Sequence, residues 1–362
     1  MKKLFLWGTG QIAEETWSEC QTLSQYEILG FIDNNTEKQG RVFKGLPVFS
    51  AEILDACRPD SIVVLTDAYN EVYRQIIAAH PEMKGIIRNK NYFYMESLFA
   101  RYKDTIDSEE IEVLNYIEKN GLDIFNYEFT NKYKDMSIDV SFDSEKGMFY
   151  VLYDGRPLYL SKELYSEQKA ADYFRQILME QDVCSPHRYI TDGFDVSRGD
   201  VVIDAGAAEG IFSLMVIDRV SKLYIVESDE GWTEALKETF RDYSDKVIII
   251  KKFISSYDEG DIATLDSLIH EPVNYIKMDI EGNEWDALQG TKEIIDKSQY
   301  LKCAICSYHS DFDRVLIEDF MDRNGLDHSV GPGLLWYPLM VRQNYVSTRL
   351  NKAIVRGVKT GI

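Results

Sequence analysis

VVIDAGAAEGIF, residues 201–212, is an apolar run that stops at an acid, passes through a loop of small residues and turns apolar again. A strand that leaves its sheet into a glycine-punctuated loop, followed by a helix, brings backbone N–H groups close to a ligand. The runs that follow repeat the alternation: KLYIVES (222–228), KVIIIKKF (246–253), VNYIKMDI (273–280) and YLKCAICSYH (300–309), with helical spacing between most of them. Strands that alternate with helices predict a parallel, doubly wound α/β sheet. Residues 1–100 show the same pattern, with KLFLWG, EILGFIDNN, SIVVLT and KGIIR as strands. Two Rossmann-like domains are therefore expected.

The stretch between them has a different character. DSEEIEVLNYIEKNGL (107–122) has apolar residues at helical spacing, an Asp/Ser cap and a stop at Gly121. MSIDVSFDSEKGMFYVLYDGRPLYLS (136–161) alternates and carries two turn signals, so β-hairpins are expected. The expected layout is a nucleotide-binding-like domain at 1–100, a helix and hairpin connector at 101–164, a second α/β domain at 165–338 and a basic tail at 339–362. In that tail Val346, Leu350, Ile354 and Val358 recur every four residues, which predicts an apolar helical stripe. Such a stripe would lie on the protein's own surface or on a second subunit in a homodimer. Its basic residues admit a peripheral membrane contact as the alternative.

Composition narrows the function. The 362 residues carry a net charge of −21, which repels phosphate backbones, so no nucleic-acid partner is expected. The first residues, MKKLFLWGTGQIAEE, have too short an apolar run for a signal peptide, and no stretch approaches the ~20 apolar residues of a membrane span. A cytoplasmic protein is expected. Cys303 and Cys306 form a CxxC, but residues three apart on a strand face opposite sides, so buried thiols are expected there.

The two glycine loops differ in charge. A pyrophosphate on a helix N-terminus wants no carboxylate beside it. In DxGxxxG, Asp204 precedes Gly206 and Gly210, and that acid suits a cation such as the α-ammonium of S-adenosylmethionine. KLYIVES places Glu227 at the next strand end, one β-α-β step later, where an acid would accept the ribose hydroxyls.

TLDSLIHEPVNYIKMDIEGNEWDALQGTKEII (264–295) adds Asp279, Glu281, Gly282 and Glu284 after an apolar strand. Together with VIDAGAAEGIFS, Glu227 and EQDVCSPHRY (180–189), it resembles the FkbM family of methyltransferases over residues 165–310. The resemblance implies a class I S-adenosylmethionine-dependent enzyme that methylates oxygen on sugars or similar metabolites. It implies that EQDVCSPHRY covers the cofactor, with Glu180, Gln181, His187, Arg188 and Tyr189 offered to its methionine end. The expected cofactor residues are Asp204, Gly206, Ala207, Glu209, Gly210, Glu227, Ser228, Trp232, Gln181, Arg188, Tyr189 and Asp279. Ser228 stands where relatives often have proline, and Trp232 is expected to wall the adenine.

His309 and Asp279 are the expected catalytic pair, the imidazole as general base and the carboxylate orienting it or the substrate. No metal is expected, although the nearby carboxylates leave one open. Glu281 and Glu284 are also expected simply as helix-opening acids.

At the front of the chain Gly8, Thr9, Gly10, Gln11 and Ala13 form GxGxxA, with Asp33 where a ribose-binding acid would sit. GFIDNN (30–35), followed by the FKGLPVF turn (43–49), resembles the small nucleotide-binding domain of some bacterial sugar O-acetyltransferases, which implies a nucleotide or nucleotide-sugar ligand. The expected substrate is a small hydroxylated metabolite, such as a nucleotide-linked sugar or glycan precursor. The alternatives are a non-catalytic nucleotide-sugar sensor and an N- or C-methyltransferase.

Overall fold

The computed structural model describes residues 1–22, 26–310, 312–337 and 349–361. They form two compact units, residues 1–123 and residues 124–337 with 349–361.

The first unit is built on six strands: β1 (Lys2–Trp7), β2 (Tyr26–Ile32), β3 (Val42–Phe43), β4 (Leu46–Phe49), β5 (Ser61–Val64) and β6 (Ile87–Arg88). Their order is β3-β4-β2-β1-β5-β6. β1 runs parallel to both β2 and β5. The alternation along β1 explains why both faces are covered. Leu4 and Leu6 enter one apolar cluster with Ala13 and Phe93, whereas Phe5 and Trp7 enter another with Val72 and Ile76. The helix Ser108–Asn120 begins at Asp107, whose side chain accepts the N–H groups of Glu109 and Glu110, and it ends at Gly121 with φ 88°.

The second unit opens with the expected hairpins, a three-stranded antiparallel sheet of β7 (Val140–Asp143), β8 (Met148–Tyr153) and β9 (Arg156–Tyr159). Its main sheet contains β10 (Val201–Ala205), β11 (Lys222–Val226) and β12 (Val247–Ile250). A short parallel pair, β13 (Phe253–Ile254) and β14 (Ile262–Ala263), leads to β15 (Tyr275–Met278), β16 (Leu301–Cys306), β17 (Asp327–Val330) and β18 (Ile354–Lys359). The order is β12-β11-β10-β15-β16-β18-β17. The chain steps outward from β10 to β12, then returns to the other side of β10. The carboxyl end of β10 is thus the switch point, where open α/β sheets leave a crevice for ligands. Cys303 and Cys306 are both buried on β16 and belong to the clusters on its opposite faces, as the strand period requires.

One expectation is corrected. The C-terminal stripe is not a helix: Ile354 and Val358 lie on β18, which pairs antiparallel with both β16 and β17. Three β-branched residues in six favour an extended chain, and strand pairing fills a gap in the sheet that a surface helix would leave open. Val346 lies outside the described residues. Arg356 is buried and donates from its guanidinium to the Arg188 carbonyl (2.6 Å), while Lys359 donates to the Ile295 carbonyl (2.6 Å), so neither is offered to a lipid surface. Gly357 is required by close packing, since a Cβ there would lie 2.5 Å from Met321 Sδ. No helix among the described residues is long and apolar enough to cross a membrane.

Ile354 is fully buried between the sheet's neighbours. Ile354→Ala should therefore cost about 2–5 kcal/mol in urea unfolding. A loss within the roughly 0.5 kcal/mol typical of surface positions would contradict the strand's place in the core.

Candidate active site

The central strands β10 and β15 place Asp204 and Lys277 opposite each other in register. Both side chains are buried, with Nζ 3.1 Å from Oδ1. Ser213 donates to the other Asp204 oxygen at 2.7 Å, and Lys277 also donates to the Gly206 carbonyl. Burial opposes the charge of Lys277, but Asp204 and Asp279 outweigh it and hold the ammonium well above its ordinary pKa. Asp204 was expected to receive the cofactor's ammonium. It lines neither of the two cavities at the Gly206 loop and is held by Lys277 and Ser213, so the structure places it beneath the loop rather than on the crevice wall.

The loop above needs its glycines for steric reasons. Gly206 has φ 72°, and a Cβ would lie 1.7 Å from the Asp279 carbonyl oxygen. Gly210 has φ 86°, and a Cβ would meet Leu236 at 2.6 Å. Gly210 thus seats the loop against the helix Glu230–Thr239. Between them the Ala208 N–H donates to Glu227 Oε2 (2.9 Å), and the Asp229 N–H donates to Oε1 (2.8 Å). Glu227 is thereby fixed at the end of β11.

Two cavities meet at the Gly206 loop. One, of about 340 Å³, is lined by Glu227, Ser228, Trp232, Phe253 and Asp279 among others. The other, of about 220 Å³, is lined by Glu180, Gln181, Tyr189, Ala207, Glu209 and Asp279, with Tyr173, Lys277, Tyr308 and Tyr337. Gly206, Ala208, Asp279 and Glu281 border both. The structure thus assembles most of the expected cofactor residues. Arg188 is the exception besides Asp204 and Gly210. Its Nε donates to the Ile190 carbonyl (2.6 Å), and it lines neither cavity, so it is corrected from carboxylate partner to a brace of its own turn. Tyr173, Tyr308 and Tyr337 were not foreseen. Tyr308 precedes His309 at a strand end, a position that could have signalled it; Tyr337 carries no local signal.

Asp279 is the most heavily supported acid. The Tyr189 hydroxyl donates to it at 2.8 Å, Tyr308 Oη is at 3.5 Å, and His187 Nε2 and His309 Nε2 stand 3.6 Å and 3.5 Å away. Burial would raise its pKa, but His187, His309 and Lys277 outweigh that and keep it well below the usual carboxylate range.

His309 is different from its expected form. It is buried at the wall and lines neither cavity. Burial disfavours its charge, but Glu284, Asp279 and Glu281 together push it up to about 9. Its ring nitrogens face Glu284, Asp279 and Glu281 rather than either cavity, so the structure does not put the expected base on the crevice wall. Glu180, at the end of the helix Glu167–Glu180, is the acid whose burial pushes it up to about 7. Its hydrogen-bond partner is Gln176, at 3.3 Å.

In the first unit Gly8, Thr9, Gly10, Gln11 and Asp33 line a cavity of about 700 Å³ at the carboxyl ends of β1, β2 and β5. Asp33 closes the loop: Oδ2 accepts the Thr9 N–H and hydroxyl at 3.0 and 2.5 Å, with Lys38 at 3.4 Å.

Removing one partner of the buried pair should be severe. Lys277→Met leaves Asp204 uncompensated and should cost about 3–5 kcal/mol in urea unfolding. Asp204→Asn combined with Lys277→Met should recover much of that loss. Equal destabilisation by the single and double variants would show that the pair is not coupled.

Comparison with known proteins adds to this geometry. Residues 1–87 match the family described as C2185-like, N-terminal, and not the sugar O-acetyltransferase domain expected for that segment. No curated protein matches the chain. Among solved structures, methyltransferase FkbM from Methylobacillus flagellatus KT is 16% identical, with a TM-score of 0.45 over 98% of this chain and 90% of that one. TYW2 of M. jannaschii, solved with AdoMet, is 13% identical, with a TM-score of 0.37 over 62% and 94%. An rRNA methylase of Streptococcus thermophilus is 15% identical, with a TM-score of 0.30 over 46% and 90%. Residues 205–325 match the methyltransferase FkbM domain, from the end of β10 past the helix Asp313–Arg323, and so hold the Gly206 loop, Glu227, Asp279 and His309. Over this part the chain is similar to the methyltransferase FkbM domain.

Proposed function

We propose that the protein is an S-adenosylmethionine-dependent O-methyltransferase acting on a hydroxyl of a small metabolite, a sugar, nucleotide-sugar or glycan precursor. The observation that carries the cofactor assignment is Glu227, held by two loop amides on a cavity that continues past Asp279. The charge of the crevice supports it. Glu180, Glu209, Asp279 and Glu281 line the smaller cavity, and the charge of its lysine, Lys277, is answered by Asp204. That surplus suits a sulfonium and disfavours a pyrophosphate.

When bound, S-adenosylmethionine supplies an electrophilic methyl group. The protein must align an acceptor oxygen with it and remove a proton. Asp279, fixed as a carboxylate, is an acceptor for a substrate hydroxyl at the junction of the two cavities. Glu180 lines the smaller cavity with little hydrogen bonding of its own and is the proton acceptor. The tyrosines around it offer flat faces and hydroxyls to a polyol. Glu209 accepts the Tyr173 hydroxyl at 2.6 Å, and Tyr173 stacks on Trp232 with centroids 5.1 Å apart, which stiffens the wall joining the cavities.

The first unit's cavity supports a further part of this reading. It lies at the carboxyl end of β1, from which the chain steps to β2 on one side and later returns to β5 on the other, a switch point of the kind that holds nucleotides. A nucleotide or nucleotide-sugar is the ligand proposed for it.

Isothermal titration with S-adenosylhomocysteine should show one site per chain, and Glu227→Ala should weaken it by roughly 1.5–3 kcal/mol. Binding of NAD in its place would refute the cofactor assignment. With labelled S-adenosylmethionine and a panel of nucleotide sugars, Glu180→Gln should lower methyl transfer by roughly 10²–10⁴-fold while S-adenosylhomocysteine, which carries no sulfonium charge, still binds. Label appearing on nitrogen or carbon would refute the oxygen chemistry.

A further inference from the structure

The carboxyl edge of the sheet holds two side chains beside Asp279 that the steps above do not use. His309 follows β16, and Glu284 opens the helix Glu284–Gln289. Their side chains are 2% and 1% exposed. Glu284 Oε1 accepts the Ile280 N–H at 2.9 Å. Its Oε2 and both ring nitrogens of His309 are buried without a hydrogen bond. Nδ1 does stand 3.1 Å from Glu284 Oε1, which is ion-pair range without hydrogen-bond angles. On the other side of the ring, Nε2 is 3.5 Å from Asp279 Oδ1 and 3.7 Å from Glu281 Oε2.

Three carboxylates therefore stand within 3.1–3.7 Å of one imidazole, and two of them, with the ring itself, are largely buried. Buried charge is costly unless it is paired or bound to a metal. Asp279, Glu284 and His309 each offer a donor atom, all within 4.8 Å of one another. Donors that share one ion at about 2.0–2.2 Å stand roughly 3–4 Å apart. The rival set, His187, Asp279 and Cys306, is less suited, because His187 Nε2 already bonds the Tyr308 hydroxyl at 2.9 Å.

We propose that Asp279, Glu284 and His309, with Glu281 at the rim, form a binding site for one divalent cation. A single nitrogen among carboxylate oxygens favours a hard ion that tolerates imidazole, Mn²⁺ ahead of Mg²⁺. This departs from the metal-free route expected of the sequence. Binding itself does not depend on the methyltransferase reading; the role does. Asp279 borders both cavities, so the ion supplies Lewis acidity next to the acceptor hydroxyl and eases loss of its proton. It selects for acceptors whose hydroxyl, or a pair of neighbouring hydroxyls, can enter its coordination shell.

The test is Mn²⁺ titration of the chelator-stripped full-length protein, with the free ion read by electron paramagnetic resonance. One ion per chain is expected. Glu284→Gln and His309→Ala should each weaken binding by roughly 10–100-fold. Glu281→Gln, at an exposed rim position, should weaken it too and carries the test if a buried variant fails to fold. S-adenosylhomocysteine titration of the same samples reports whether each variant retains its fold. Wild-type protein that binds no Mn²⁺ at about 1 mM, or folded Glu284→Gln and His309→Ala that keep wild-type affinity, would overturn the site. Mn²⁺ binding without S-adenosylhomocysteine binding would leave the site standing and remove its proposed role.

Discussion

The active site rests on one buried ion pair. Asp204 and Lys277 face each other across the two strands at the sheet's switch point, and Lys277 spends a second hydrogen bond on the carbonyl of Gly206. Two charges in the interior cost several kcal/mol each unless they satisfy one another. Here the pair joins β10 to β15 and sets the height of the loop that follows β10. Gly206 then passes so close to the Asp279 backbone that no side chain fits. Loop and carboxylate are therefore positioned by the same contact.

From that base the site is organised by charge. Asp279 is held ionised by His187, His309 and Lys277, whereas burial raises Glu180. Environment, rather than residue type, separates a fixed acceptor from one able to exchange a proton. The same field acts on His309, whose pKa is raised by the acids that surround it.

The sheet and its helices were legible because their signals are local. Strand alternation at 201–205, 222–226 and 275–278, the Asp107 cap and the turns at Gly147 and Gly155 are each decided within a few residues. Glu227 and Asp279 were legible because strand ends in a doubly wound sheet share one edge. What sequence could not supply was partnership. Asp204 reads as a ligand residue until Lys277, 73 residues later, is placed opposite it. Arg188 reads as an anion partner until its guanidinium is found on the Ile190 carbonyl. The spacing of Leu350, Ile354 and Val358 fits a helix, and only the vacancy between β16 and β17 decides for a strand.

That last strand has a consequence for how the domain is made. β18 is sixth in the sheet by position yet follows every other strand in the chain, and both of its neighbours are already synthesised when it emerges. Until residues 354–359 arrive, β16 presents a row of unpaired backbone groups on the edge beside His309, and β17 has no partner at all. Open strand edges recruit other chains. The domain is thus most vulnerable to aggregation while β18 is unpaired, and this strand acts as its built-in edge protector.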